Sequence, residues 1–528
     1  MDRLLSLGVT DFREAGPGTV LSRLAERALS TAHGQRETAR DQTTPFPAPS
    51  AFAPVVPAPA ASSAVSPPAQ VPDEASPGAL LGSEGFRAAY GADLAYVCGG
   101  LYRGIASEAL VRRASEHGIL AFFGAGGLTA DKVEEAVRRL ADLTGSRCPF
   151  GLNVVHDPNG GAAEESMVDI CLAHDIDRIE ASAFIKVTPA LVRYRVAGLH
   201  KDASGCVVAR HRLMVKLSRP EVAAEFLAPP PQAMIDELVR RGAVTPEQAA
   251  LATRVAMADD ICAEGDSGGH TDRRNPLVLY PAIALERDRA LRQHPVEHPV
   301  RVGVGGGIGT PHAAAAAFAM GADFVTTGSI NLCSAESGIS ERVKDLLERI
   351  NIQDTDYAPA GDMFELGAQV QVLRRGVFFP ARARKLYEIY RSQDSLESLS
   401  HDVVETLEKK YFQRSLAQVW SETREYFASH DPEQVRRAER DPRHRMALVF
   451  RWYFGYSMSA ALEGRVADKL DFQVHCGPAL GAYNQWVKET PHASWRQRHV
   501  DEMARGLMDG AAHILGESRA SLPMALSR

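Results

Sequence analysis

Between positions 94 and 327 the chain carries eight short apolar runs, and most of the gaps between them have the periodicity of a helix. The runs occupy 94–98, 119–123, 149–155, 178–184, 212–217, 260–263, 300–304 and 324–327; the helical segments occupy 107–116, 130–143, 164–174, 189–199, 282–292 and 310–320. Few folds accept such a pattern. Strands apolar on both faces belong in a parallel sheet, parallel strands need crossover helices, and eight such units close into an α/β (β/α)₈ (TIM) barrel.

The gap after the fifth run, 220–258, is long and itself helical, which predicts a helical insertion acting as a lid or small subdomain beside the barrel mouth. After Ser334 the pattern changes to charged helices, and no further strands are expected. Residues 43–78 are dominated by Pro, Ala and Ser, which cannot pack a core. The organisation expected is a short helical N-terminal extension (1–42), a Pro/Ala-rich linker (43–80), a barrel (84–390) and a helical C-terminal region (391–528) wrapping it.

Composition narrows the function. With 59 basic against 66 acidic residues, the net charge of −7 argues against a nucleic-acid binder that relies on a basic surface. No apolar stretch of about 18 residues offers a membrane span, and the first residues lack a signal-peptide core. Seven cysteines without C-x-x-C spacing suit reduced thiols, so a cytoplasmic location is expected. His156 with Asp157, and His174 with Asp175, lack the spacing of metal ligands, and no metal site is expected.

In a parallel barrel, chemistry sits at the carboxyl ends of the strands. The last two runs end in Gly305-Gly306-Gly307-Ile308-Gly309 and Thr327-Gly328-Ser329. Small residues there let backbone N–H groups approach an anion, and the helix that follows adds the positive end of its dipole, so a phosphate is expected at Gly306, Gly307, Gly328 and Ser329. The other ends supply Gly99-Gly100, Gly124–Gly127 (with Gly126 and Gly127), Asn153, Glu180–Ala183, Lys216 and the loop Glu264-Gly265-Asp266-Ser267-Gly268-Gly269-His270. So many glycines imply a flat, bulky ligand lying on the backbone. Asn153 can donate and accept at the edge of a heteroaromatic ring, Lys216 can offset charge on a reduced ring, Glu264 and Asp266 can accept from ring N–H or hydroxyl groups, and His270 can supply a proton. Each has a plainer reading: His270 as a turn residue, Lys216 as a snorkelling side chain, Asn153 as a cap. Their placement on one face of one fold favours the functional readings. Cys333 lacks a flanking base and reads as a buried structural thiol. The basic stretch from Arg374 to Lys385 reads as a solvated face that can also attract an acidic partner.

These motifs resemble the flavin-dependent barrel family of nitronate monooxygenases and flavin enoyl reductases. The likeness runs through Gly124–Gly127, Gly151-Leu152-Asn153, Glu264–His270, Gly306-Gly307-Ile308 and Gly328-Ser329. More specifically, the chain resembles the PfaD-type trans-acting enoyl reductases of polyunsaturated fatty acid and polyketide synthases. That likeness rests on Ala181–Phe184 with Thr188–Arg195, Asp266–Asp272, Ile352–Gly367 and Cys476–Gly481 with Asn484 and Trp486. It implies FMN in the barrel mouth, with its phosphate on the last two Gly turns and His270 acting near the flavin; joined to the strand-end reading, this gives Gly126, Gly127, Asn153, Lys216, Glu264, Gly268, Gly269, Gly306, Gly307, Gly328 and Ser329 as the expected FMN-binding residues and His270 and Lys216 as the expected catalytic ones. It also implies NADPH or NADH as hydride donor and an enoyl thioester on an acyl carrier protein as substrate, and it is compatible with a homo-oligomer. Leu101 stands where that family is expected to place a Met against the flavin. A nitronate-type flavin oxidase and a non-catalytic docking scaffold remain the alternatives at this point.

Overall fold

The computed structural model describes residues 76–143, 150–157 and 160–521; the expected N-terminal extension and most of the expected linker lie outside the described residues. The first four strands are β1 (Tyr96–Cys98), β2 (Leu120–Phe123), β3 (Phe150–Val155) and β4 (Arg178–Ser182). A hairpin follows, β5 (Leu199–Lys201) and β6 (Val207–Ala209). Then come β7 (Arg212–Leu217), β8 (Asp260–Glu264), β9 (Arg301–Gly305) and β10 (Val325–Thr327). The order β1-β10-β9-β8-β7-β4-β3-β2, parallel throughout, closes the expected eight-stranded barrel.

Helices cover its outside, among them α1 (Glu108–Glu116), α2 (Ala130–Arg139), α3 (Ala162–Ala173), α4 (Pro189–Val196), α5 (Pro220–Leu227), α6 (Pro276–Gln293) and α7 (Pro311–Ala319). Local signals set their ends. Ser107 accepts from the Leu110 N–H ahead of α1, and Thr310 accepts from the Ala313 N–H ahead of α7, which has Pro311 in its first turn. Helix α4 stops short of the expected 199 because Gly198, at φ +82°, turns the chain into β5. Helix α6 begins six residues before the expected 282, capped by Asn275; it carries Pro281 in its interior, the residue that reads from sequence as a helix start.

Two further expectations are corrected. Strands do follow Ser334: β11 (Thr355–Pro359) and β12 (Gln369–Leu373) form an antiparallel ribbon, which His475 extends through Val372. And the 220–258 insertion is helical but is not a lid. Its first helix, α5, packs on α6, and its later helices pack on α4 and on β5, so none of its residues lines the mouth. The mouth is roofed instead by α8 (Leu416–His430) and α9 (Pro442–Glu463), which with β11, β12 and 379–392 share a hydrophobic core of their own around Phe364, Phe379, Phe450 and Tyr453. The last helix, α10 (Val500–Ser521), lies back on the barrel against α7 and on the short turn Pro77–Leu80, residues expected to belong to the linker.

The opposite end of the barrel is plugged. Phe86 and Tyr90 from the helix Glu84–Tyr90 fill it against Val97, Leu120, Phe122 and Met214. Tyr90 Oη donates to Asp260 Oδ2 at 2.7 Å, and Arg301 grips the same buried carboxylate through Nε and Nη2 at 2.6 and 2.8 Å. Removing one partner of such a pair strands the other's charge, so Asp260→Ala is expected to cost about 3–5 kcal/mol, read as a lowered Tm. With this end closed, ligand access is left to the carboxyl ends of the strands.

Candidate active site

A cavity of about 870 Å³ opens at those ends, within the range of cofactor and substrate sites, about 300–1,000 Å³. Of the residues singled out from sequence, His270, Lys216, Gly127, Asn153, Glu264, Gly268, Gly269, Gly306, Gly307, Gly328 and Ser329 all line it. Gly126 does not: a Cβ there would meet Val155 Cγ2 at 2.6 Å, so its role is packing behind the wall.

Four barrel strands in a row build the floor. Asn153 on β3 donates from Nδ2 to Glu180 Oε2 on β4 at 2.7 Å and to Ser182 Oγ at 2.8 Å. The Gly100 N–H donates to the same Glu180 oxygen at 2.9 Å. Lys216 on β7 stands 3.8 Å from Glu180 Oε2 and 3.6 Å from Glu264 Oε1 on β8. Burial opposes the Lys216 charge, yet the two carboxylates hold its ammonium above the ordinary lysine range. Burial drives Glu180 the other way, upward, against the pull of Lys216. The result is a fixed cation under the cavity with Asn153 locked beside it. Glu180 is named from sequence only as the start of the strand end Glu180–Ala183, with no role of its own; a carboxylate inside the apolar run Ile179–Ala181 is the signal that gives it one.

At the last two strand ends the backbone is shaped for an anion. Gly306 and Gly307 have φ of +81° and +79°. Among the described residues, the N–H groups of Gly306, Gly307, Gly328 and Ser329 find no protein acceptor. Cβ atoms at Gly307 and Gly328 would have no neighbour nearer than 4.0 and 3.6 Å, so the space beside them is the cavity itself. The segment Gly477–Ala479, which opens the helix Ala479–Trp486, closes this corner: the Gly477 N–H donates to Ser329 Oγ at 2.8 Å, and Gly309 lies against the Ala479 carbonyl. Free amides, a following helix and a cationic floor are a donor set that fits a phosphorylated, ring-bearing cofactor such as FMN.

His270 is half-buried on the rim. Its Nε2 is 3.0 Å from Asp362 Oδ1 in the loop between β11 and β12. That hydrogen bond raises the imidazole above its ordinary value, more than burial lowers it. Burial pushes Asp362 up, but the hydrogen bond to His270, the charge of that ring and a backbone hydrogen bond together leave the carboxyl below its usual range. His475, also on the wall, is pushed down to about 4 by burial and by the charge of His270. Two neighbouring imidazoles are thus pushed in opposite directions, His270 toward the cation and His475 toward the neutral ring. Gly268 allows this arrangement, because its missing Cβ would lie 2.9 Å from the Cys476 amide. Asp266, expected to face a ligand, is engaged by Tyr357 Oη and by Gln371 Nε2 at 2.6 Å, so it also tethers the ribbon to the β8 loop.

The remaining readings sort themselves. Cys333 is buried with its thiol pushed up to about 12, an inert group. His156 and His174 each pair with one carboxylate, Glu164 and Glu134, and among the described residues no group of three or more His, Cys, Asp or Glu side chains could hold a metal ion. The basic stretch is no open patch. Arg375, Arg382, Arg384 and Lys385 pair with Asp354, Asp471, Asp356 and Glu388, while Arg374 donates to the Gln353 carbonyl. These charges are spent within the fold, so long-range steering of an acidic partner by this stretch is not supported.

Residues 96–366 match the family model for nitronate monooxygenase, and 393–472, which include the roof, match the inserted helical domain of [acyl-carrier-protein] S-malonyltransferase. The chain is 43% identical over 519 residues to polyketide biosynthesis protein PksE of Bacillus subtilis, covering 98% of this chain and 65% of that protein. It is 43% identical to a polyunsaturated fatty acid synthase protein of a Thraustochytrium species, over 82% of this chain and 29% of that one. It therefore spans about two thirds or less of these relatives. The enoyl reductase domain of MlnA, from the macrolactin cluster of Bacillus amyloliquefaciens, superposes with a TM-score of 0.81 at 38% identity, covering 84% of this chain and all of that one.

Proposed function

The chain belongs to the nitronate monooxygenase family, and from that premise we propose that it is a trans-acting, FMN-dependent enoyl reductase that reduces α,β-unsaturated acyl thioesters on an acyl carrier protein, with NADPH or NADH as electron source. The observation that carries the reading is the pairing, in one cavity, of four unclaimed backbone amides at the last two strand ends with a carboxylate-held imidazole at the rim. The relatives support it: one is a polyketide biosynthesis protein, one a polyunsaturated fatty acid synthase subunit, and the superposed domain is an enoyl reductase.

Gly306, Gly307, Gly328 and Ser329 would hold the FMN phosphate, Asn153, Lys216 and Glu264 would be the polar groups available to the ring, and Gly127, Gly268 and Gly269 would allow close approach. Bound FMN would supply two-electron chemistry, taking a hydride from the nicotinamide and returning one to the β-carbon of the thioester. The protein supplies the rest. Lys216, anchored by Glu180 and Glu264, holds a positive charge where electron density is delivered. His270 has Nε2 committed to Asp362, which leaves Nδ1 to donate a proton to the α-carbon as the C=C bond is reduced. Asp362 orients the ring and favours its protonated form, and His475 stays neutral because it is buried and because a second cation beside His270 is opposed. The roof of α8 and α9 covers the mouth and limits the water that reaches it.

The test is NADPH-dependent conversion of a crotonyl thioester to the butyryl thioester, followed by mass spectrometry on carrier-bound and small thioesters. Oxygen consumption with alkyl nitronates, and none of this conversion, would transfer the assignment to the nitronate oxidases. Purified protein that binds no flavin would transfer it to a docking scaffold.

A further inference from the structure

Helix α9 turns a regular face to the cavity: Leu448, Arg451, Trp452, Gly455 and Met458 recur at helical spacing along its lower side. A Cβ at Gly455 would touch nothing within 4 Å, so this face stays open to the cavity. Four lysine and arginine side chains line the cavity, and three are spoken for. Lys216 sits between Glu180 and Glu264, Arg103 donates to Ser459 Oγ at 3.3 Å, and Arg465 lies by Glu463 and Asp468. Arg451 differs. Among the described residues its guanidinium makes no ion pair or hydrogen bond, and it rests on the face of Phe427, 5.9 Å from the ring centroid. The other arginines of α9, Arg443 and Arg445, are committed to Tyr390 and Glu397.

Arg451 is only partly exposed, and a guanidinium held in a cavity wall without a counterion is a ready partner for an anion that a ligand brings. Burial indeed lowers the Arg451 pKa, with Asp362 and Glu365 acting only from a distance. On the proposed reaction, the acyl group and the nicotinamide ring bring no anion of their own, but both co-substrates carry phosphate: the pantetheine arm of a carrier protein and the pyrophosphate of the dinucleotide. FMN's own phosphate is accounted for at the strand ends. We infer that Arg451 is a phosphate clamp in the roof, which binds the phosphate of a co-substrate entering beneath α9 and so sets how far its reactive end reaches toward the floor. The inference rests on the enoyl-reductase reading for the identity of the co-substrates, but not for the existence of the clamp.

The experiment is calorimetric titration of the oxidised holoenzyme with crotonyl-4′-phosphopantetheine, with crotonyl-pantetheine lacking the phosphate, and with NADP⁺. A charge-assisted, bidentate contact predicts that Arg451→Gln weakens the phosphorylated thioester about ten- to a hundredfold more than its dephosphorylated counterpart. Arg451→Lys should recover part of the loss, which separates a binding role from a folding defect. A loss confined to the phosphorylated thioester assigns the clamp to the carrier arm; a loss confined to NADP⁺ assigns it to the dinucleotide; losses for both mean one clamp used in turn. Wild-type protein that does not distinguish the two thioesters, with NADP⁺ binding untouched by Arg451→Gln, overturns the clamp. So does a variant that loses the dephosphorylated thioester as much as either phosphorylated ligand. These are binding measurements, so a protein that holds the phosphorylated arm through Arg451 yet never reduces it counts against the enoyl-reductase reading alone.

Discussion

Replacing His270 by alanine is expected to leave a folded protein that still binds flavin but reduces an enoyl thioester about two to four orders of magnitude more slowly. The fold should survive because His270 is half-buried on a rim loop and its side chain bonds to Asp362, which is open to the cavity. The loss should fall on the step that consumes the thioester, since the imidazole is placed to donate a proton and not to grip the phosphate. Asp362→Asn separates holding from donating. The Asp362 hydrogen bond raises the His270 pKa, so the donor is present at low pH and is lost as pH rises through that raised value. Without the carboxylate, the fall in thioester reduction should move to lower pH, toward the ordinary histidine value of about 6.5. Rates measured across pH in the thioester half-reaction alone check this. An unshifted profile would make Asp362 merely structural, and wild-type turnover in His270→Ala would remove the imidazole from the chemistry.

The second large effect concerns the cofactor. Gly307→Leu places a side chain in the space beside the free amides, where the new Cβ has no protein neighbour nearer than 4.0 Å. The positive φ of Gly307 makes the change strained by about 1–2 kcal/mol, little enough for a domain of this size to fold. Losing two charge-assisted bonds to a phosphate, at about 1.5–3 kcal/mol each, weakens flavin binding by about two to four orders of magnitude. The protein should purify with native circular dichroism and little flavin, and equilibrium dialysis against FMN should show the weakened affinity. Gly306→Leu is the poorer probe, because its Cβ would lie 2.7 Å from the Gly265 carbonyl and would damage the barrel directly.

What can be read in the chain follows from how local each signal is. The eight barrel runs are legible because each carries its own apolar pattern, and all lie within a few residues of the observed strands. The strand-end glycines and His270 are legible because the barrel fixes which end of a strand matters. The partners of those residues are not. Asp362 lies 92 positions from His270, and Gln371 lies 105 positions from Asp266; no local pattern announces such pairings. The ribbon escapes notice although Gln369–Leu373 alternates polar and apolar, because Pro359 and the charged helices that follow mask a five-residue signal. The 220–258 insertion shows the converse failure. Its helices are legible, but periodicity reports only that a face is buried, not against what, and so it points to the wrong segment for the roof.

The central claim, that one cavity passes a hydride from a nicotinamide to an enoyl thioester through a flavin, reduces to one anaerobic titration. Purified protein is mixed with one equivalent of NADPH and then with one equivalent of a crotonyl thioester, while the visible flavin band is followed. The band is expected to bleach with NADPH and to return with the thioester, with butyryl thioester appearing in equal amount. A band that bleaches and returns only when oxygen is admitted, or a protein with no such band after incubation with FMN, would contradict the claim.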